Sequence, residues 1–198
     1  MQNPYGKFYL NYYHKEEKPD FYNEFKTSIH KIEKILDLKL EINDNATRKH
    51  LMMILYANVI TAMEVYLSDW FIRKLVDNKK FIPKLLEINN LFPQEKMTLR
   101  TAYDWFNTMD DKIIEVLSNF TFHNLGRVKL MYKDVLNIEF PDKIDEIFRA
   151  IQKRHDIIHR NGKTKDGSEL NISRSEITNL ISVVSRFADA IESQVIKI

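Results

Sequence analysis

Lys153-Arg154-His155-Asp156-Ile157-Ile158-His159-Arg160-Asn161-Gly162 closes what reads as a long amphipathic helix. Five of the seven side chains from Arg154 to Arg160 are ionisable. The string then stops at Asn-Gly, residues that end helices. Upstream, Phe140-Pro141-Asp142 is expected to open the same helix. On a wheel of about 100° per residue, Ile144, Ile147, Phe148, Ile151 and Ile158 form one apolar stripe from Asp142 to Arg160. Arg154 and His155 fall inside that stripe, His159 lies at its edge, and Asp156 and Arg160 are expected to point away. A buried guanidinium is costly, so Arg154 needs an anionic partner or a cleft open to water and ligand.

The rest of the chain supplies partners of the same kind. From Pro19-Asp20, Phe21, Phe25, Ile29, Ile32 and Ile35/Leu36 recur at helical spacing. The turn formers in Glu41-Ile42-Asn43-Asp44-Asn45 are expected to stop that helix. A second helix, unusually long, is expected from Ala46 to Asp77, with Asn58, Thr61 and Glu64 as a polar ladder along one side. Shorter pieces follow: Phe81 to Ile88, broken by Leu91-Phe92-Pro93, then Thr98 to Asn107 and Asp110 to Phe120. Leu125 to Leu136 is helical again, with Val128, Met131/Tyr132 and Val135/Leu136 on one face. After a polar loop, Ser173-Arg174-Ser175-Glu176 has the capping-box pattern and starts a last helix. No strand is expected. The fold class is all-α, a bundle of long helices with short crossing pieces. Residues 1–44 are expected to form an arm and an amphipathic helix that pack on a helical domain spanning residues 45–198.

Composition narrows the function classes. Of 198 residues, four are glycine and five proline, while 44% are hydrophobic, which suits a helical globular chain and excludes low-complexity disorder. Without cysteine, disulfides and thiolate metal sites are excluded, and a cytoplasmic location is expected. The N-terminus lacks the basic-then-apolar layout of a signal peptide, and no apolar run approaches the roughly 18 residues that span a bilayer, so no membrane partner is expected. A net charge of +2 is too small to indicate nucleic acid. Local charge differs: from Lys153 to Lys165 there are five Lys/Arg against one Asp. Lys153, Arg160, Asn161, Lys163 and Lys165 are therefore candidate contacts to a phosphate backbone, with a solvated helix end as the plain alternative.

The key stretch also has ordinary readings. Nine arginines and six histidines give an accidental Arg-x4-His pair a fair chance. His159 could complement the helix dipole. His155 and His159, four apart, could form a metal pair, but no neighbouring Glu, Cys or third His completes the set, so no metal or other cofactor is assigned. Glu64 is open to three readings: partner of Arg154, modulator of His159, or solvent-facing residue.

Arg154-His155-Asp156-Ile157-Ile158-His159 nevertheless resembles the signature of HEPN-domain proteins, R-x4–6-H with a polar residue directly after the Arg. Ala57 to Leu67 looks like the long helix that faces this signature, and His159-Arg160-Asn161-Gly162 looks like its exit. The resemblance covers about residues 46–196. It implies an HEPN-like bundle of long antiparallel helices working as a symmetric homodimer. The implied activity is a metal-independent endoribonuclease on single-stranded RNA, of the kind used as toxins or anti-phage effectors. An antitoxin or regulatory protein is then an expected partner besides RNA. Asn161 stands where HEPN toxins controlled by nucleotidyltransferase antitoxins carry a modified Tyr, so that mode of control is not supported.

The residues suit the chemistry on physical grounds. Attack of a 2′-OH on the adjacent phosphate needs a proton carrier near neutral pH and a cation for the charge on phosphorus. Histidine and arginine fill those roles. His159 is assigned as general acid/base and Arg154 as phosphate clamp, with His155 as a second polar contact and Asp156 as an orienter. Arg154 and His159 lie about 140° apart on an ideal helix, which a two-fold arrangement of two helices would ease. A non-catalytic HEPN-like dimer that binds RNA, a nucleotide or a partner protein is the alternative, and a helical scaffold with an accidental motif is the third.

Overall fold

The computed structural model describes residues 12–13, 19–39, 44–88, 98–120, 122–142 and 144–198. The expected arm over residues 1–18, most of the turn at Glu41-Ile42-Asn43 and the break at Leu91-Phe92-Pro93 therefore lie outside the described residues, apart from Tyr12 and Tyr13. Among those described, eight α-helices and no strand are present. They are α1 (Phe21–Asp37), α2 (Asn45–Asp77), α3 (Ile82–Leu86), α4 (Leu99–Asn107), α5 (Met109–Ser118), α6 (Leu125–Leu136), α7 (Asp145–His159) and α8 (Arg174–Val195). The all-α class is thus observed.

The chain forms two compact units. One comprises Asp20–Tyr66 and Glu139–Ile198; the other comprises Leu67–Ile138 with the described residues up to Pro19. The first unit carries α1, the first two thirds of α2, α7 and α8. Asp20 caps α1 by accepting the Asn23 N–H at 2.9 Å. One face of α1, Phe21, Phe25, Ile29, Ile32 and Leu36, is buried, and the helix packs on α8. Val59, Ile60 and Met63 of α2 and Ile177, Val184, Ala188 and Ile191 of α8 are almost wholly buried. Each of these other than Ala188 contributes roughly 1.5–3 kcal/mol. The Tyr66 hydroxyl, at the end of this unit's share of α2, donates to Glu192 Oε2 at 2.8 Å, so its burial leaves no polar group unsatisfied.

In the second unit, α3 packs on α6. Tyr132 of α6 is buried and donates its hydroxyl to the Leu67 carbonyl at 2.6 Å. Asn137 ends α6 in the left-handed region at φ 57°. The segment expected as one helix from Phe81 to Ile88 is instead a 3₁₀ turn, Lys79–Phe81, followed by the short α3, with Pro83 in its first turn. Helix α4 has no buried residue: Leu99, Tyr103 and Phe106 are all exposed.

Helix α2 corrects one expectation. It contains an 18-residue window of mean hydropathy 1.5 and is, by length and composition, long and apolar enough to cross a membrane. A core helix passes the same test, and 44% of this window is buried.

Candidate functional site

Helix α7 starts at Asp145 rather than Asp142. Ile138 and Phe140 are buried ahead of it, with Phe140 edge-on to Phe187 of α8 at 5.0 Å. That apolar lead-in is taken up by packing instead of by an extra helical turn. Within α7, Ile147 and Ala150 are buried, while Phe148 and Ile158 are exposed. The apolar stripe is therefore narrower than the wheel implied, and Phe148 and Ile158 do not belong to the core.

Arg154 lies on the buried side of α7 and meets Glu64 of α2. Its Nη2 is 3.7 Å from Glu64 Oε2, and the two side chains are 18% and 12% exposed. That separation is an ion pair without a hydrogen bond. Arg154 Nε and Glu64 Oε1 are both buried and have no hydrogen-bond partner among the described residues. Burial pushes the Glu64 carboxyl above its ordinary range, and the Arg154 charge only partly opposes this. Of the three readings of Glu64, the structure places it beside Arg154.

His159 is exposed in the last turn of α7, and its ring lies 4.6 Å from that of His155, tilted by 44°. The two imidazoles thus form a pair on the open flank of the helix, beside the half-enclosed guanidinium. Among the described residues no group of three or more His, Cys, Asp or Glu is arranged to hold a metal ion.

Asp156 does not point away. It is buried, 7% exposed, and its Oδ1 accepts the Arg160 Nη1 at 2.6 Å. The wheel could not show this, because the covering comes from the chain after the helix. Arg160 and Gly162 both return their backbone N–H to the Asp156 carbonyl, at 3.1 Å each. Asn161 (φ 52°) and Gly162 (φ 76°) take left-handed conformations to make that exit. A Cβ on Gly162 would sit 2.6 Å from Met53 Sδ, so that flexible side chain would have to move, and the φ of 76° strains any other residue here. Beyond it, Lys163 bridges Glu169 and Leu170 N–H donates to the Gly162 carbonyl at 2.8 Å, which turns the polar loop back on itself.

The basic cluster is correspondingly divided. Lys153 Nζ is held by Glu176 at 2.7 Å and lies over the Tyr56 ring. Arg160 is engaged by Asp156, and Arg154 faces Glu64. Asn161, Lys163 and Lys165 are exposed on the loop. Counting Glu64 and Glu176 with Asp156, five cations meet three carboxylates, so the local excess is two charges rather than four. Sequence spacing could not reveal Glu176 as the partner of Lys153, since they are 23 positions apart. Glu176, Tyr56, Arg149 and Asn179 border a cavity of about 460 Å³ along α7 and α8.

The chain matches no protein-family model, no curated protein and no solved structure.

Proposed function

We propose that the chain is a metal-independent endoribonuclease of the HEPN type that cleaves single-stranded RNA as a symmetric dimer. The observation that carries this reading is the pairing on α7 of a half-enclosed Arg154, loosely held by Glu64, with a half-buried His155 whose ring meets that of the exposed His159. Buried side-chain polar groups mostly find a partner, and among the described residues the buried Arg154 Nε has none.

In this mechanism an imidazole accepts the 2′-OH proton, and the 2′ oxygen attacks phosphorus. The bond from phosphorus to the 5′ oxygen breaks, and that oxygen takes a proton from a second imidazole. The products are a 2′,3′-cyclic phosphate and a 5′-OH. Arg154 stabilises the extra charge on the phosphate oxygens. His159 is the acid/base, and a second copy related by a two-fold axis supplies the other. Exposed Phe148 and Ile158 on α7 and exposed Ile54 and Val65 on one flank of α2 are the apolar surface such a dimer would cover. The HEPN resemblance extends the reading to a cytoplasmic toxin or anti-phage effector restrained by an antitoxin or regulatory protein.

The test is cleavage of a single-stranded RNA in EDTA by the wild type, Arg154→Ala and His159→Ala, with the product ends identified. Cyclic-phosphate ends from the wild type that vanish in both variants are expected. RNA binding without any cleavage by the wild type would replace the nuclease with a non-catalytic RNA-binding dimer. Equal cleavage by all three proteins would remove the assignment.

A further inference from the structure

Arg154 cannot serve a phosphate and Glu64 equally. The two side chains face each other and are both largely covered by protein, and no other charged group acts on the Glu64 carboxyl among the described residues. One turn away on α2 stand Ile60, Thr61, Leu67 and Ser68, none of them titratable. On α7 the other charged or titratable groups flanking Arg154 are Lys153, held by Glu176, His155, His159, and the Asp156–Arg160 pair. A phosphate arriving on the guanidinium would place a second anion beside the first. Two like charges sharing one partly buried cation are strongly unfavourable, and the cheaper state has one of them neutral. Diester phosphate stays ionised at any pH near neutrality, so the carboxyl is the group that yields. The geometry already leans that way. The Arg154–Glu64 separation is too long for a hydrogen bond, and Glu64 Oε1 has no donor to stabilise a negative charge. Burial favours the protonated carboxyl further. Once neutral, Glu64 offers an O–H that can donate to a phosphate oxygen.

We infer that Glu64 is a proton-operated gate on Arg154: the guanidinium is released to an RNA phosphate as Glu64 takes a proton from solvent. This rests on the reading of Arg154 as a phosphate clamp. It adds that substrate binding and proton uptake are coupled through a residue that is neither the acid nor the base of the cleavage step. The sign follows directly. Binding is strongest below the titration of Glu64 in the free protein. It weakens as pH rises toward the higher titration of the bound state, by at most tenfold per pH unit for one proton.

The experiment is calorimetric titration of a short oligodeoxythymidylate, which lacks the 2′-OH and cannot be cleaved, in two buffers of different ionisation heat from pH 5 to 8. It is run on a His155→Ala/His159→Ala background, so that imidazole protonation does not contribute. Net proton uptake on binding is expected there. Adding Glu64→Gln should abolish the uptake, flatten the pH dependence and tighten binding at the upper end. Glu64→Ala, run alongside, separates loss of charge from hydrogen bonds made by the new amide. Proton uptake unchanged by both substitutions would overturn the gate. So would the absence of uptake while adding Arg154→Ala still weakens binding tenfold or more, and that result would leave the clamp standing. Binding indifferent to Arg154→Ala would remove clamp and gate together.

Discussion

His159 and Arg154 fail differently when replaced. Loss of a positioned acid/base costs roughly 10²- to 10⁴-fold in rate, so His159→Ala should fall in that range with RNA binding largely retained. Arg154→Lys keeps the charge but loses the planar fork and its reach across α2, and should remain well below wild type. Single-turnover cleavage beside a binding isotherm separates the two effects. Gly162 is the sharpest structural position. An alanine there meets both an unfavourable φ of 76° and Met53 Sδ at 2.6 Å, and should cost about 1–3 kcal/mol. Chemical denaturation would measure that loss, and Met53→Ala should recover only the steric share. At this scale the inward placing of Arg154 on α7 was legible from the helical period, and Glu64 was a candidate partner because it sits on the polar ladder of α2. Asp156 was not legible. It is buried, and its carbonyl accepts the Gly162 N–H in a chain reversal six residues later that no helical period encodes.

Helix boundaries were legible wherever a strong period met a cap. Leu125–Leu136 was read to the residue, and the Ser173–Glu176 box does cap α8 reciprocally. The reading failed at α3 and at the start of α7. Prolines there allow a helix start as readily as a stop, and packing of residues such as Phe140 decides between them. The α8 cap also carries a pH signature. Burial pushes the Glu176 carboxyl up, but hydrogen bonds from Lys153 and the Ser173 N–H outweigh it and leave the group below its ordinary range. A lowered carboxyl contributes stability that is present above its unfolded titration and is lost as pH falls through the folded one. Acid should therefore loosen the N-terminus of α8. Glu176→Gln should lower stability near neutrality and narrow the gap between variant and wild type below about pH 4, which denaturant midpoints across pH would show. Ser173→Ala should cost about 1 kcal/mol through the same cap.

Across the whole molecule, α2 enters both compact units, with its buried face continued from Leu55 to Leu75. Met63, with no exposure, should cost roughly 2–5 kcal/mol on truncation to alanine. Ile158, 53% exposed, carries no such weight. Ile158→Glu should leave the melting temperature nearly unchanged while shifting sedimentation from dimer to monomer and removing cleavage, if the α7 flank is the two-fold face. An unchanged sedimentation coefficient would place the subunit junction elsewhere. The homodimer was an expectation of the resemblance alone; the exposure of Phe148 and Ile158 that gives it a surface is a property of the fold and was not legible.

A segment that shields nothing from water forfeits little when it opens. Leu99–Asn107 is such a segment. Its amides should trade their hydrogens for deuterium long before those of Arg174–Val195, whose inward face is covered along its length. Among the described residues, trypsin offered briefly should cut first at Arg100.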